Sequence, residues 1–144
     1  MTITLPITVV AFETDFGGVV SNTRYVEYVE RGRYALLHAT GLKVSGVWEA
    51  HGVQPVVRRV DIEYLGFARH EDELLLHIRV GSHSGATTTL CYELSRAADS
   101  IILMRATQTL AYLNRQWKPT RVPAIFRNAL PIEENYRGTE ARRT

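Results

Sequence analysis

The order of its apolar periodicities constrains this chain most. One long stretch with helical spacing, residues 22–40, precedes four β-like stretches separated by short turn sequences. In the helical stretch Val26, Val29, Leu36 and Leu37 fall on one face, with Gly32 on the same stripe. Ser21 or Asn22 can cap its start and Gly41 can close its end. The β-like stretches, 53–64, 73–82, 87–96 and 101–113, are each rich in Val, Ile, Leu, Thr or Tyr. Turn sequences at 66–69, 83–85 and 97–100 are short, which favours successive strands as antiparallel neighbours. An earlier apolar run, 7–12, reads as a further strand, and 43–51 has room for a short helical turn. Pro119 and Pro123 end the sheet region, and 124–130 reads as a short helix.

One helix and an antiparallel sheet make an α+β domain in which the sheet wraps the helix. Gly in mid-helix costs roughly 1 kcal/mol against Ala. Gly32 is therefore expected where the helix lies hard against a flat surface such as a sheet. The sheet's edges and outer face would need cover, which points to a homo-oligomer.

The 144 residues, 45% hydrophobic, suffice for one globular domain with a real core. That domain is expected over 1–130, followed by a polar tail over 131–144. No apolar run is long enough for a membrane span, and residues 1–12 lack the pattern of a secretory signal. Cys91 is the only cysteine, so an internal disulfide is impossible and a cytoplasmic location is expected. The basic excess is local. Six Lys/Arg against three Glu follow residue 117, leaving 11 basic and 12 acidic residues before it. A body so near neutrality argues against a nucleic-acid partner. The five His show no tight ligand spacing, so no metal site is expected.

The residues that carry chemistry precede the helix. Asp15 lies between an apolar run and the Gly17-Gly18 turn, and the helical pattern begins just after it. This puts a carboxylate opposite the N-terminus of a helix, whose unpaired N–H groups can stabilise a developing oxyanion. A carboxylate beside an oxyanion pocket is what hydrolysis of an activated acyl compound needs. The turn alone also accounts for Asp before Gly-Gly, and N-capping alone accounts for Asn22.

Thr14-Asp15-x-x-Gly18-Val19-Val20, then Tyr25, then Glu30-x-x-Arg33, resembles the opening motif of the 4-hydroxybenzoyl-CoA thioesterase group and of the Tol–Pal-associated acyl-CoA thioesterases. The likeness continues through Ile62-Glu63-Tyr64-Leu65-x-x-Ala68-Arg69-x-x-Asp72-x-Leu74 and weakly beyond. It implies a hotdog fold, dimers joined edge to edge that often pair into tetramers, active sites at the dimer interface, and no cofactor. By the same resemblance Asp15 is the catalytic carboxylate, nucleophile or general base, and the carbonyl-polarising amide falls at Asn22. Glu13 stands where close relatives often have Asp, Phe67 where Pro is usual, and Asn22 where some relatives have His.

The substrate expected is an acyl-CoA. Gly17, Gly18 and Val19 would let it approach the backbone closely, and Tyr25 would contact the acyl group or the core. The resemblance makes Arg69 the best candidate for a coenzyme A phosphate, which calls for a cation. His83, Ser84 and Gly85 would run along the pantetheine arm, although a hairpin turn explains the same three residues. Glu30 and Arg33, at i and i+3, read as a structural ion pair. An acyl-thioester hydratase or dehydratase is the first alternative, but no His lies near Asp15 in sequence. An acyl-CoA or acyl-carrier binding protein without turnover is the second.

Overall fold

The computed structural model describes residues 1–133, so most of the expected tail lies outside the described residues. The elements are β1 (Thr2–Thr8), α1 (Asn22–Ala39), α2 (Val44–His51), β2 (Gln54–Tyr64), β3 (Glu73–His83), β4 (Thr87–Arg96), β5 (Ile102–Leu113), β6 (Pro119–Thr120) and α3 (Ala124–Ala129). All strand pairs are antiparallel, in the order β1-β3-β4-β5-β2, with β6 on β5. This is the expected α+β arrangement of one long helix against an antiparallel sheet.

Alternation in the strands builds one buried face. Leu74, Leu76, Ile78 and Val80 of β3, Leu90, Tyr92 and Leu94 of β4, and Met104, Leu110 and Tyr112 of β5 are all buried. Against it α1 lays Tyr25, Tyr28, Val29, Gly32, Leu36 and Leu37. A Cβ on Gly32 would sit 2.8 Å from Leu76 Cδ2, 3.0 Å from Ile78 Cγ1 and 3.1 Å from Tyr92 Cε1. The glycine is therefore the point of closest approach between helix and sheet, as its position in the stripe predicts. The two buried polar side chains within the sheet, Thr88 and Gln108, are both satisfied. Gln108 accepts from the Tyr92 hydroxyl at 2.7 Å and donates to Glu30 Oε1 at 3.0 Å. Thr88 shares a 2.7 Å hydrogen bond with the Tyr112 hydroxyl. Glu30 is also held by the Arg33 guanidinium, the expected ion pair.

Three expectations need correction. The first strand is Thr2–Thr8 rather than 7–12, because Thr-Ile-Thr-Leu-Pro-Ile-Thr runs in register along β3 from Arg79 to Glu73. Pro6 is tolerated because β1 is an edge strand. Residues 11–13 instead form a single 3-10 turn. Val26 is not on the buried stripe but 39% exposed, and its place is taken by the larger Tyr25 and Tyr28. Finally, β2 and β3 are not neighbours, since β2 pairs with β5 at the far edge. The connection 65–72 crosses three inter-strand spacings, about 14 Å, a gap eight residues span easily. It runs past the sheet's end, where Leu65 and Gly66 donate to Leu103 O, and Arg96 donates to Phe67 O.

Candidate active site

The predicted site begins as a local turn. Asp15 N–H donates to Val19 O at 2.9 Å and Gly18 N–H to Asp15 O at 3.0 Å, while Gly18 adopts φ +79°. This is a tight hairpin whose last turn residue must be left-handed, a conformation glycine takes without penalty. Asp15 Oδ1 accepts from Gly17 N–H at 2.8 Å, the self-capping that makes Asp common at such turns. A Cβ at Gly17 would lie 3.1 Å from that oxygen. Both glycines thus have a turn role, and Gly17 also leaves room for the Asp15 carboxylate.

Long-range contacts orient the hairpin. Thr14 bridges to Val20, Val19 bridges to Arg69, and Val20 N–H donates to Ala68 O at 2.8 Å. The crossing loop 65–72 is therefore the platform on which the Asp15 hairpin lies. That platform is held by Asp72, whose carboxylate accepts from Arg69 N–H at 2.9 Å and Arg96 Nε at 3.2 Å. The hairpin closes onto α1 through Ser21 N–H, which donates to Glu13 O at 3.0 Å. Ser21 is the N-cap residue but makes no side-chain hydrogen bond to the first turn. Arg24 N–H donates to Ser21 O at 2.9 Å, so the amides left open to an external acceptor are those of Asn22 and Thr23.

Asp15, Gly17, Gly18, Val19, Asn22, Tyr25 and Arg69 accordingly converge at one end of the sheet. Asp15 is exposed. Tyr25 is buried, and its hydroxyl accepts from Ala68 N–H at 3.2 Å. Burial holds this phenol above its ordinary titration range. Asn22 contributes a backbone carbonyl that accepts from the Tyr64 hydroxyl at 3.2 Å. Tyr64, which stacks edge-on against Tyr25 at 5.4 Å, was not singled out by sequence; no local signal distinguishes it. Arg96 was also missed, although the i, i+3 spacing of Arg69 and Asp72 already signals the turn it braces.

His83, Ser84 and Gly85 are elsewhere, at the far end of β3, about 30 Å from the Asp15 end at roughly 3.3 Å per residue. Their polar groups are committed within the chain. His83 Nε2 donates to Leu130 O at 2.7 Å and Nδ1 pairs with Thr88 Oγ1 at 2.8 Å. Ser84 Oγ accepts from Ala86 and Thr87 N–H, and Gly85 O accepts from Val122 N–H. The hairpin reading accounts for all three. His83→Ala should cost about 2 kcal/mol, since it leaves the Leu130 carbonyl and the buried Thr88 hydroxyl short of a partner. Thermal unfolding of the variant checks this.

An open groove of about 270 Å³ is lined by Asp61, Ile62, Glu63, Arg105, Ala106 and Thr107 of β2 and β5, and none of the predicted site residues lines it. Around the Asp15 hairpin the exposed large side chains are instead Phe12, Phe16, Tyr64, Leu65 and Phe67. Among the described residues no cluster of three His, Cys, Asp or Glu side chains could hold a metal ion.

The sequence profile of the thioesterase-like superfamily matches residues 9–130. The chain belongs to that superfamily. This thioesterase-superfamily chain is 29% identical over 119 residues to the acyl-CoA thioesterase YbgC of Haemophilus influenzae, covering 82% of this chain and 86% of that protein. It superposes on the crystal structure of Slr0204, a 1,4-dihydroxy-2-naphthoyl-CoA thioesterase from Synechocystis, with a TM-score of 0.83 at 20% identity, covering 90% and 96% of the two chains. It also superposes on a 4-hydroxybenzoyl-CoA thioesterase variant complexed with 4-hydroxybenzoyl-CoA, with a TM-score of 0.84 at 14% identity, covering 90% and 99%. At those identities the superpositions speak for the fold, which is the hotdog fold the opening motif implied.

Proposed function

We propose that this thioesterase-superfamily chain hydrolyses acyl-CoA thioesters to the free acid and coenzyme A. The observation that carries the reading is the hairpin geometry: a carboxylate at a tip that closes onto an uncapped helix start. A thioester has a good leaving group, so a carboxylate needs little further activation. Asp15 attacks the carbonyl carbon, thiolate departs and takes a proton, and water opens the resulting anhydride. Alternatively Asp15 takes a proton from water, whose oxygen attacks the carbonyl directly. In either route the carbonyl oxygen becomes anionic, and the first-turn amides of α1, that of Asn22 included, supply fixed dipoles for it.

Asp15 is exposed on the single chain, so exclusion of water calls for a second copy. Among the described residues the edge of β2 lacks a strand partner on its outer side, and exposed Phe16, Tyr64, Leu65 and Phe67 adjoin its end. An edge-to-edge homodimer, with or without further pairing into a tetramer, would cover both. A cytoplasmic location suits the single cysteine; among the described residues no helix is long and apolar enough to cross a membrane.

The test is release of free thiol from a panel of aromatic, short-chain and long-chain acyl-CoAs, with acyl-carrier-protein thioesters run in parallel. Thiol release supports the reading. Water addition across an enoyl thioester, or binding without turnover, would replace it. The Arg69 guanidinium has the charge for a coenzyme A phosphate. Arg69→Ala should raise KM about five- to tenfold with kcat within about twofold, because a phosphate contact made equally in ground and transition states is uniform binding. Steady-state kinetics on the best acyl-CoA checks it.

A further inference from the structure

A buried acid two residues from Asp15 has no part in the reaction proposed above. Glu13 is 6% exposed, although glutamate is seldom buried unless paired. It forms no salt bridge within 4.0 Å among the described residues. Its Oε1 accepts from Val10 N–H at 3.0 Å, and its backbone N–H donates to Val10 O at 3.0 Å. Its carbonyl accepts from Ser21 N–H, the residue that opens α1. Glu13 thus joins three pieces: the segment just after β1, the base of the Asp15 hairpin, and the helix start.

Tyr28 completes the arrangement from nearly two helical turns further along. Its ring is fully buried and its hydroxyl makes no well-formed hydrogen bond among the described residues. The hydroxyl is nevertheless near enough to the Glu13 carboxylate to feel its charge: burial first, and then Glu13, hold the phenol well above its usual titration range. The positive end of α1 favours a carboxylate at this place.

A buried carboxylate is disfavoured relative to an apolar side chain of similar size. Packing alone therefore does not explain its presence. We propose that Glu13 is a positioning residue, whose buried carboxylate, held by Val10 N–H, fixes the turn whose carbonyl takes Ser21 N–H and so sets the separation between the Asp15 carboxylate and the amides at the start of α1. The proposal rests on the catalytic assignment of Asp15. A shift on the order of 1 Å at such a site costs about a hundredfold in rate, so loosening the clamp acts on kcat and leaves the distant binding contacts alone.

A double-mutant cycle tests this with single-turnover and steady-state thioesterase rates on the dimeric or higher-order protein as purified. Glu13→Ala should lower kcat at least about tenfold with KM within about twofold. Glu13→Gln should recover most of the rate, because its amide oxygen still accepts from Val10 and its NH2 can turn toward Tyr28. In the D15N background Glu13→Ala should change the residual rate by less than about twofold, since the group it positions has been removed. Tyr28→Phe, which keeps the ring, should lose about threefold in kcat in the parent and nothing in D15N, and it serves if Glu13→Ala does not fold. Equal losses in both backgrounds, a parent loss below twofold, or a KM effect as large as the kcat effect overturns the positioning role. Full activity of D15N itself overturns the functional reading instead.

Discussion

Asp15→Asn is expected to lower kcat more than about a hundredfold while leaving fold and assembly intact, the scale of loss for a positioned base or nucleophile. The substitution is nearly isosteric. Its amide oxygen can still accept the 2.8 Å hydrogen bond from Gly17 N–H, so the turn, the Val19–Arg69 bridge and the closure onto α1 have no reason to change. Only the negative charge is lost, and with it both the nucleophile and the proton acceptor. Unfolding temperature and chromatographic size should match the parent protein, while thiol release from acyl-CoA collapses. A variant within a few-fold of parent activity would remove Asp15 from the chemistry and leave it a turn residue.

Gly32→Val is expected to destabilise the protein by about 3 kcal/mol, the upper part of the range for overpacking a core. The first added carbon would already stand 2.8 Å from Leu76 Cδ2 and 3.1 Å from Tyr92 Cε1. These neighbours are 0% and 3% exposed, so they have nowhere to move. Val adds two further methyl groups against the same wall. Gly32→Ala is the informative control. It gains up to about 1 kcal/mol of helix propensity against the same three tight Cβ contacts but without the two further methyl groups, so its net loss should be smaller. Chemical denaturation of both variants measures the difference. Equal stability of Val and parent would show that α1 can lift from the sheet without cost.

Legibility in the sequence followed the range of the physics involved. The start of α1 at Asn22, the bounds of β4 and the ends of β2, β3 and β5 agree with expectation to within a residue. Each is set by periodicity and by turn residues close in sequence. The Asp15-Phe16-Gly17-Gly18 turn was equally readable, since an Asx hydrogen bond and a left-handed glycine involve only adjacent residues. The helical stripe was right at four of its five positions. The period was correct, but two tyrosines displaced Val26 because the rotation of α1 is decided by what fills the space above β3 and β4. His83 shows the same limit from the other side. A polar residue at a hairpin looks available in sequence, yet both ring nitrogens are taken by Thr88 and by Leu130, 47 residues away.

The chain's local chemistry alone determined that there is one long helix, that the strands run antiparallel, that Gly32 lies against a sheet, and that a carboxylate precedes an open helix start. Tertiary structure alone decided the strand order. It sends β2 to pair with β5, so that the 65–72 loop must cross the sheet's end and lie beneath the Asp15 hairpin. The physical reason is that turns and periodicities are settled by neighbours within four residues, whereas strand pairing and burial depend on which distant surfaces together exclude the most water.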